Sequence, residues 1–148
     1  MLAAVVALSL ALYAAPKPPR LAHFQSPSGN IDCLGEPASS FGPGFVDCVV
    51  RQDMWPHKRP KPATCDLDWD PTTIGLSHRK VTVGSCRGDI GPLCGRSSDR
   101  CSTLAYGRHL DLGPIRCTST TAGVTCRYRT PPRVGFRIAR EGYVVFRS

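Results

Sequence analysis

Eight cysteines constrain this chain more than any other feature of its sequence. They are Cys33, Cys48, Cys65, Cys86, Cys94, Cys101, Cys117 and Cys126. Structural zinc ligands usually come in pairs roughly two to four residues apart, whereas the two closest cysteines here, Cys94 and Cys101, have six residues between them. The even number and the wide spacing therefore predict four disulfide bonds and no metal site.

The N-terminus predicts the export that disulfide formation requires. Residues 1–15 are apolar except for Ser9 and carry no charge. The run is shorter than the roughly 20 apolar residues of a membrane-spanning helix, and Ala14 and Ala15 provide small residues for a signal peptidase. We predict a signal peptide at 1–15, a Pro-rich linker at 16–23, and a secreted or cell-envelope protein whose mature form has no transmembrane span. An uncleaved N-terminal anchor is the alternative.

Short runs of β-branched residues, bounded by Gly and Pro, recur along the rest of the chain, and no long segment has the 3.6-residue apolar period of a helix. This pattern predicts an all-β fold: a small, disulfide-rich antiparallel sheet, sandwich- or barrel-like, in a single domain at 24–148. The predicted strands are 30–34, 45–51, 73–76, 80–86, 115–119, 124–129, 136–139 and 143–146.

The strand pattern also selects among the roughly one hundred possible pairings of eight cysteines. Cys33 and Cys48 each lie on the apolar face of a predicted strand, which favours a bond between them. A tight turn at 121–123 would place Cys117 opposite Cys126 in a hairpin, within disulfide reach. Cys65 with Cys86 and Cys94 with Cys101 complete the predicted set.

The positive charge is concentrated at the C-terminal end of the chain. Of the net charge of +8, residues 116–148 contribute +6, from seven arginines and one glutamate. The hairpin register places Arg116 opposite Arg127 on the side facing away from the core, and Arg129 and Arg137 share that outward parity. These four arginines are the candidate ligand-binding residues, for anionic envelope polymers or acidic extracellular protein surfaces. A solvated basic surface is the alternative, and export argues against a dedicated nucleic-acid partner.

The sequence predicts no catalytic residue, cofactor or metal. Alternate carboxylates at Asp66, Asp68 and Asp70 resemble the start of a calcium loop, but Pro71 occupies the position of the turn glycine, so a local turn or a strand-end cluster is favoured. The spacing of the four histidines brings no two of them together. The competing enzyme hypothesis is a small basic, ribonuclease-like hydrolase with His57 or His109 as the acid or base.

Several motifs resemble a family of uncharacterised secreted proteins from actinobacteria, a domain of unknown function. The most specific is the opening Phe24-x-Ser26-Pro27-Ser28-Gly29-Asn30-Ile31-x-Cys33. Further matches are Cys117-x-Ser119, Gly123-Val124-x-Cys126 and Gly135-Phe136-x-Ile138-x-Arg140-Glu141-x-Tyr143. The resemblance implies a small exported, disulfide-bonded domain and supplies no activity. The sequence thus predicts a secreted, non-catalytic binding or interaction module of the cell envelope.

Overall fold

The computed structural model describes residues 20–40, 42–89, 91–95 and 101–148. The predicted signal peptide at 1–15 and residues 16–19 of the predicted linker lie outside these ranges. Within them the chain forms strands and no helix, so no helix is long and apolar enough to cross a membrane. The strands are β1 Ala22–Gln25, β2 Ile31–Glu36, β3 Phe45–Val50, β4 Asp68–Ser77, β5 Lys80–Arg87, β6 Cys101–Thr103, β7 His109–Leu112, β8 Ile115–Thr120, β9 Gly123–Tyr128, β10 Gly135–Ala139 and β11 Gly142–Phe146.

The strands form two sheets. The first has six strands in the order β5-β4-β3-β2-β1-β6, and the second has five in the order β11-β10-β9-β8-β7. All pairings are antiparallel except that of β1 with β6. The predicted all-β, disulfide-rich class is confirmed, and because both sheets contribute to one buried cluster the arrangement is a sandwich.

Cross-strand rows of apolar side chains form the core between the sheets. In the first sheet, Phe24 pairs with Cys33, which in turn pairs with Cys48 on the next strand. In the second, Cys126 lies between Cys117 and Phe136. All these side chains are fully buried, because alternation along each strand turns every second residue toward the facing sheet.

All four predicted disulfides are present. Cys33 and Cys48 are direct cross-strand partners with Cα atoms 4.1 Å apart, and Cys117 and Cys126 repeat this arrangement in the second sheet at 4.0 Å. Each sheet is therefore cross-linked near its centre, with a stabilisation of about 2–4 kcal/mol per bond.

The predicted strands are present within two residues of their predicted ends, except for β4. This strand begins at Asp68, because a bulge between Asp70 and Ile74 accommodates Pro71. The carboxylate of Asp70 accepts hydrogen bonds from Thr72 and Thr73 beside this bulge. Asp68 and Asp70 thus lie at the beginning of a strand and not in a turn.

Three short strands, β1, β6 and β7, have no counterpart in the prediction. β1 begins at Ala22, inside the predicted linker, and it forms because β2 and β6 supply hydrogen-bonding partners on both sides. β7 pairs with β8 and forms one edge of the second sheet. Segments this short have too few residues to show a periodic pattern of their own.

Candidate functional site

The four predicted arginines lie on or beside the outer surface of the second sheet, which we call the arginine face. Arg116 and Arg127 are direct cross-strand partners, as the hairpin register predicts. Arg137 pairs with Thr125, one outward-facing row further along β9. Arg129 follows the end of β9 and is exposed. Like charges directly opposite one another on a sheet repel, so this face needs compensation.

Asp111 in β7 supplies that compensation, and the sequence reasoning missed it. It pairs across the strands with Arg116, and its two carboxylate oxygens accept hydrogen bonds of 2.6 Å and 2.8 Å from Nε and Nη2 of that arginine. Nη1 of Arg129 lies 3.6 Å from the same carboxylate. The hydrogen bonds from Arg116 lower the pKa of Asp111, and the carboxylate in turn raises the pKa of Arg116.

This ion pair divides the four arginines by their availability. Arg116 is half-buried and held in a bidentate geometry, and Arg129 shares the same carboxylate. Arg127 and Arg137 are exposed, and their guanidinium groups form no hydrogen bond or ion pair with any other residue that the structure describes. The two arginines available to a ligand are therefore Arg127 and Arg137.

Arg127 and Arg137 are diagonal neighbours on adjacent strands. Arg127 pairs with Gly135, which lies two residues before Arg137 on β10. Diagonal neighbours of this kind are roughly 7–8 Å apart, which is within reach of two long side chains acting on neighbouring charges of one ligand. Gly135 adds no side chain between them, and a Cβ at this position would collide with the backbone of Cys126.

The row that contains Arg137 is polar on one side and apolar on the other. Thr118 and Thr125 lie between Arg137 and His109 at the opposite edge of the sheet. His109 is exposed and close enough to Asp111 to help lower the pKa of that carboxylate. On the other side, the cross-strand partner of Arg137 is the exposed Val144 of β11.

The structure adds no geometric support to the hypothesis that His57 or His109 is the acid or base of a hydrolase. His57 lies in the exposed, Pro-rich segment between β3 and β4 and makes no hydrogen bond to another described residue, whereas His109 lies on the arginine face. In the described ranges, no three or more His, Cys, Asp or Glu residues are placed to hold a metal ion.

A local signal for Asp111 is present in the sequence. Leu110 and Leu112 alternate with it, and Gly113-Pro114 follows as a turn before the next strand. Gly113 has a φ of 60°, which favours glycine and lets the chain reverse between β7 and β8. Alternation followed by a turn predicts a hairpin, which would have placed this carboxylate opposite Arg116.

A family model described as a family of unknown function, DUF6636, matches residues 4–146, which is nearly the whole chain. Comparison with curated proteins and with solved structures finds no match.

Proposed function

The chain belongs to DUF6636, a family of unknown function, and we propose that it is a secreted, non-catalytic binding module of the cell envelope. Its ligand is an anionic envelope polymer, and the arginine face is the surface that binds it. The observation that carries the proposal is the pair of exposed arginines, Arg127 and Arg137, on adjacent strands of a disulfide-linked sheet, neither of them neutralised by a described carboxylate.

The charge balance of this face favours anions. Four arginines and the carboxylate of Asp111 leave a net charge of +3, and exposed guanidinium groups bind carboxylate or phosphate oxygens through paired hydrogen bonds. Asp111 holds Arg116 in place and prevents the full repulsion of four adjacent cations. The free cations are left at Arg127 and Arg137, where a repeating polyanion can contact both.

The flat geometry of the face favours a polymer over a small substrate. The outward side chains come from strands of a continuous sheet, whose rigidity is increased by the central Cys117–Cys126 bond. A rigid array of charges loses little conformational entropy when it binds an extended ligand. The free arginines thus provide affinity through charge without a deep pocket.

Salt-gradient elution from an immobilised acidic polysaccharide tests the proposal. The double variant Arg127→Gln/Arg137→Gln is compared with Arg108→Gln/Arg133→Gln, which removes the same charge at exposed positions that contribute no predicted binding residue. We expect the face variant to elute at clearly lower salt than the wild type and the matched control to stay close to the wild type. If both variants elute at equally lowered salt concentrations, the loss of net charge explains the effect and the binding face is refuted.

A further inference from the structure

A polar cleft of about 450 Å³ lies at one end of the sandwich, and its lining includes none of the four arginines of the arginine face. Loops from both sheets meet there. The cleft is lined by the turn between β1 and β2 at 28–30, by 51–52 after β3, by Tyr106, and by the turns at 120–123 and 139–141. Its volume is in the range of small-molecule binding sites.

Hydrogen bonds fix the wall of the cleft on the side of the first sheet. The side chain of Asn30 donates from Nδ2 to the carbonyl oxygen of Gln52 at 3.1 Å and accepts from the backbone N–H of Gln52 at 2.9 Å. The buried Ser26 hydroxyl accepts a hydrogen bond of 3.1 Å from the N–H of Ile31, which closes the turn. The loops are therefore ordered before any ligand binds, which reduces the entropy lost on binding.

Arg51 is held in one orientation by a buried carboxylate. Its Nε donates to Oδ2 of Asp32 at 2.6 Å, and the Asp32 side chain is fully buried. The backbone N–H of Cys94 donates to the same oxygen at 3.2 Å. The Nη atoms of Arg51 make no hydrogen bond with the described residues, and 38% of its side chain is exposed. The guanidinium is thus preset, with Gly95 beside its Nη atoms, and its exposed part is available to a ligand.

The other charges of the cleft favour a ligand with a single negative charge. Asp32 compensates the charge of Arg51, and the side chains of Arg140 and Glu141 are exposed without a described partner, so Arg140 is the cation of the described lining that no carboxylate pairs with. A dianion such as a phosphate monoester would be repelled by Glu141. A carboxylate matches both the charge and the planar edge of Arg51.

The remaining groups fit hydroxyls and an apolar ring face. The side-chain amide of Gln52 and the hydroxyl of Thr121 line the cleft without a described hydrogen-bond partner, and the carboxylate of Glu141 can accept from hydroxyl donors. Tyr106 is 47% exposed and offers an aromatic surface of the kind against which sugar rings pack. We infer that this cleft binds a hydroxylated monocarboxylic acid of the hexuronate class. The inference does not depend on the arginine face.

Titration of the folded protein with D-glucuronate, followed by amide chemical shifts, tests the inference. D-glucose is the matched neutral sugar, and acetate is the matched anion without hydroxyls. We expect shifts at Gly29, Gln52 and Glu141, and an affinity for glucuronate at least about tenfold above that for either control, because a charge-assisted bidentate contact and several hydroxyl contacts act together. Equal binding of acetate, equal binding of glucose, or no shift at these residues would each overturn the inference.

Two variants assign the effect to the cleft. Arg140→Gln alters an exposed turn residue whose backbone carbonyl still accepts from Met54, and it should weaken glucuronate binding by about fivefold to tenfold. Arg51→Lys keeps the charge beside Asp32 but loses the planar fork that contacts the carboxylate, and it should lower the preference for glucuronate over glucose. Arg133→Gln, at an exposed position outside both the cleft and the arginine face, should leave glucuronate binding unchanged. Loss of binding in Arg133→Gln, or full binding in Arg140→Gln, would contradict the assignment to the cleft.

Discussion

Replacement of Arg51 by Met tests the central electrostatic feature of the first sheet. The change keeps the length of an apolar stem and removes the cation beside Asp32. The Asp32 carboxylate is fully buried, Arg51 is its one ion-pair partner among the described residues, and its Oδ1 atom has no hydrogen-bond partner there. In Arg51→Met this buried charge would lose its compensating cation.

The expected loss of stability follows from the burial of the two groups. Removing one partner of a buried ion pair costs about 3–5 kcal/mol, because the other charge stays in a medium of low dielectric constant. The Arg51 side chain is 38% exposed, so water replaces part of its effect and the lower end, about 3 kcal/mol, applies. For a domain of about 125 residues this loss corresponds to a fall of roughly 11 °C in Tm.

A double-mutant cycle separates the charge effect from lost packing. Urea unfolding is measured for the wild type, Arg51→Met, Asp32→Asn and the double variant, with Arg108→Met as a matched control at an exposed position. Once Asn replaces the buried charge, we expect Arg51→Met to cost about 2 kcal/mol less than it does in the wild type. The control should change the free energy of unfolding by less than about 0.5 kcal/mol. The same cost of Arg51→Met in both backgrounds would refute the electrostatic explanation.

Three further changes have defined outcomes. Ser119→Ala should raise the free energy of unfolding by about 1 kcal/mol in chemical denaturation, because the fully buried hydroxyl of Ser119 has no described partner; a decrease would show that it has one. Replacing Cys117 and Cys126 together by Ala should cost about 2.6 kcal/mol, the loop-closure entropy for a separation of 9 residues, and a loss below about 1 kcal/mol would contradict that origin. The hydrogen bonds from Arg116 lower the pKa of Asp111, so the stability that this carboxylate adds is present above its ordinary value of 3.8 and is lost as the pH falls through the lowered value. The difference in unfolding free energy between the wild type and Asp111→Asn should therefore shrink to nothing in strong acid, and a difference that persists there would show that it does not arise from charge.

Most of the fold could be predicted because its signals are local. Cys117 and Cys126 lie at matching positions on either side of a short turn, so alternation alone fixes their pairing and places Arg116 opposite Arg127. The same alternation gives the pairing of Cys33 with Cys48. Arg140, whose parity does not match the outward arginines, lies in the turn after β10, where alternation no longer applies.

The availability of the arginines could not be read from the hairpin. Asp111 neutralises Arg116 through β7, whose four residues become a recognisable hairpin signal only together with the Gly113-Pro114 turn that follows them. The sequence treats the four arginines as equivalent, whereas in the structure Asp111 restrains Arg116 and Arg129 and leaves Arg127 and Arg137 free. This distinction changes which substitutions are expected to affect binding.

The sequence by itself determined the pairing of Cys33 with Cys48 and of Cys117 with Cys126, the strand alternation and the direction of the C-terminal arginines, because each depends on residues along one strand or hairpin. The tertiary structure decided which charges are buried, paired or free. Asp32 lies on the outward side of β2, yet it is fully buried where Arg51 and the backbone of Cys94 cover it. The cleft likewise exists only where turns from both sheets meet, since its walls come from segments as far apart in the chain as Ser28 and Glu141.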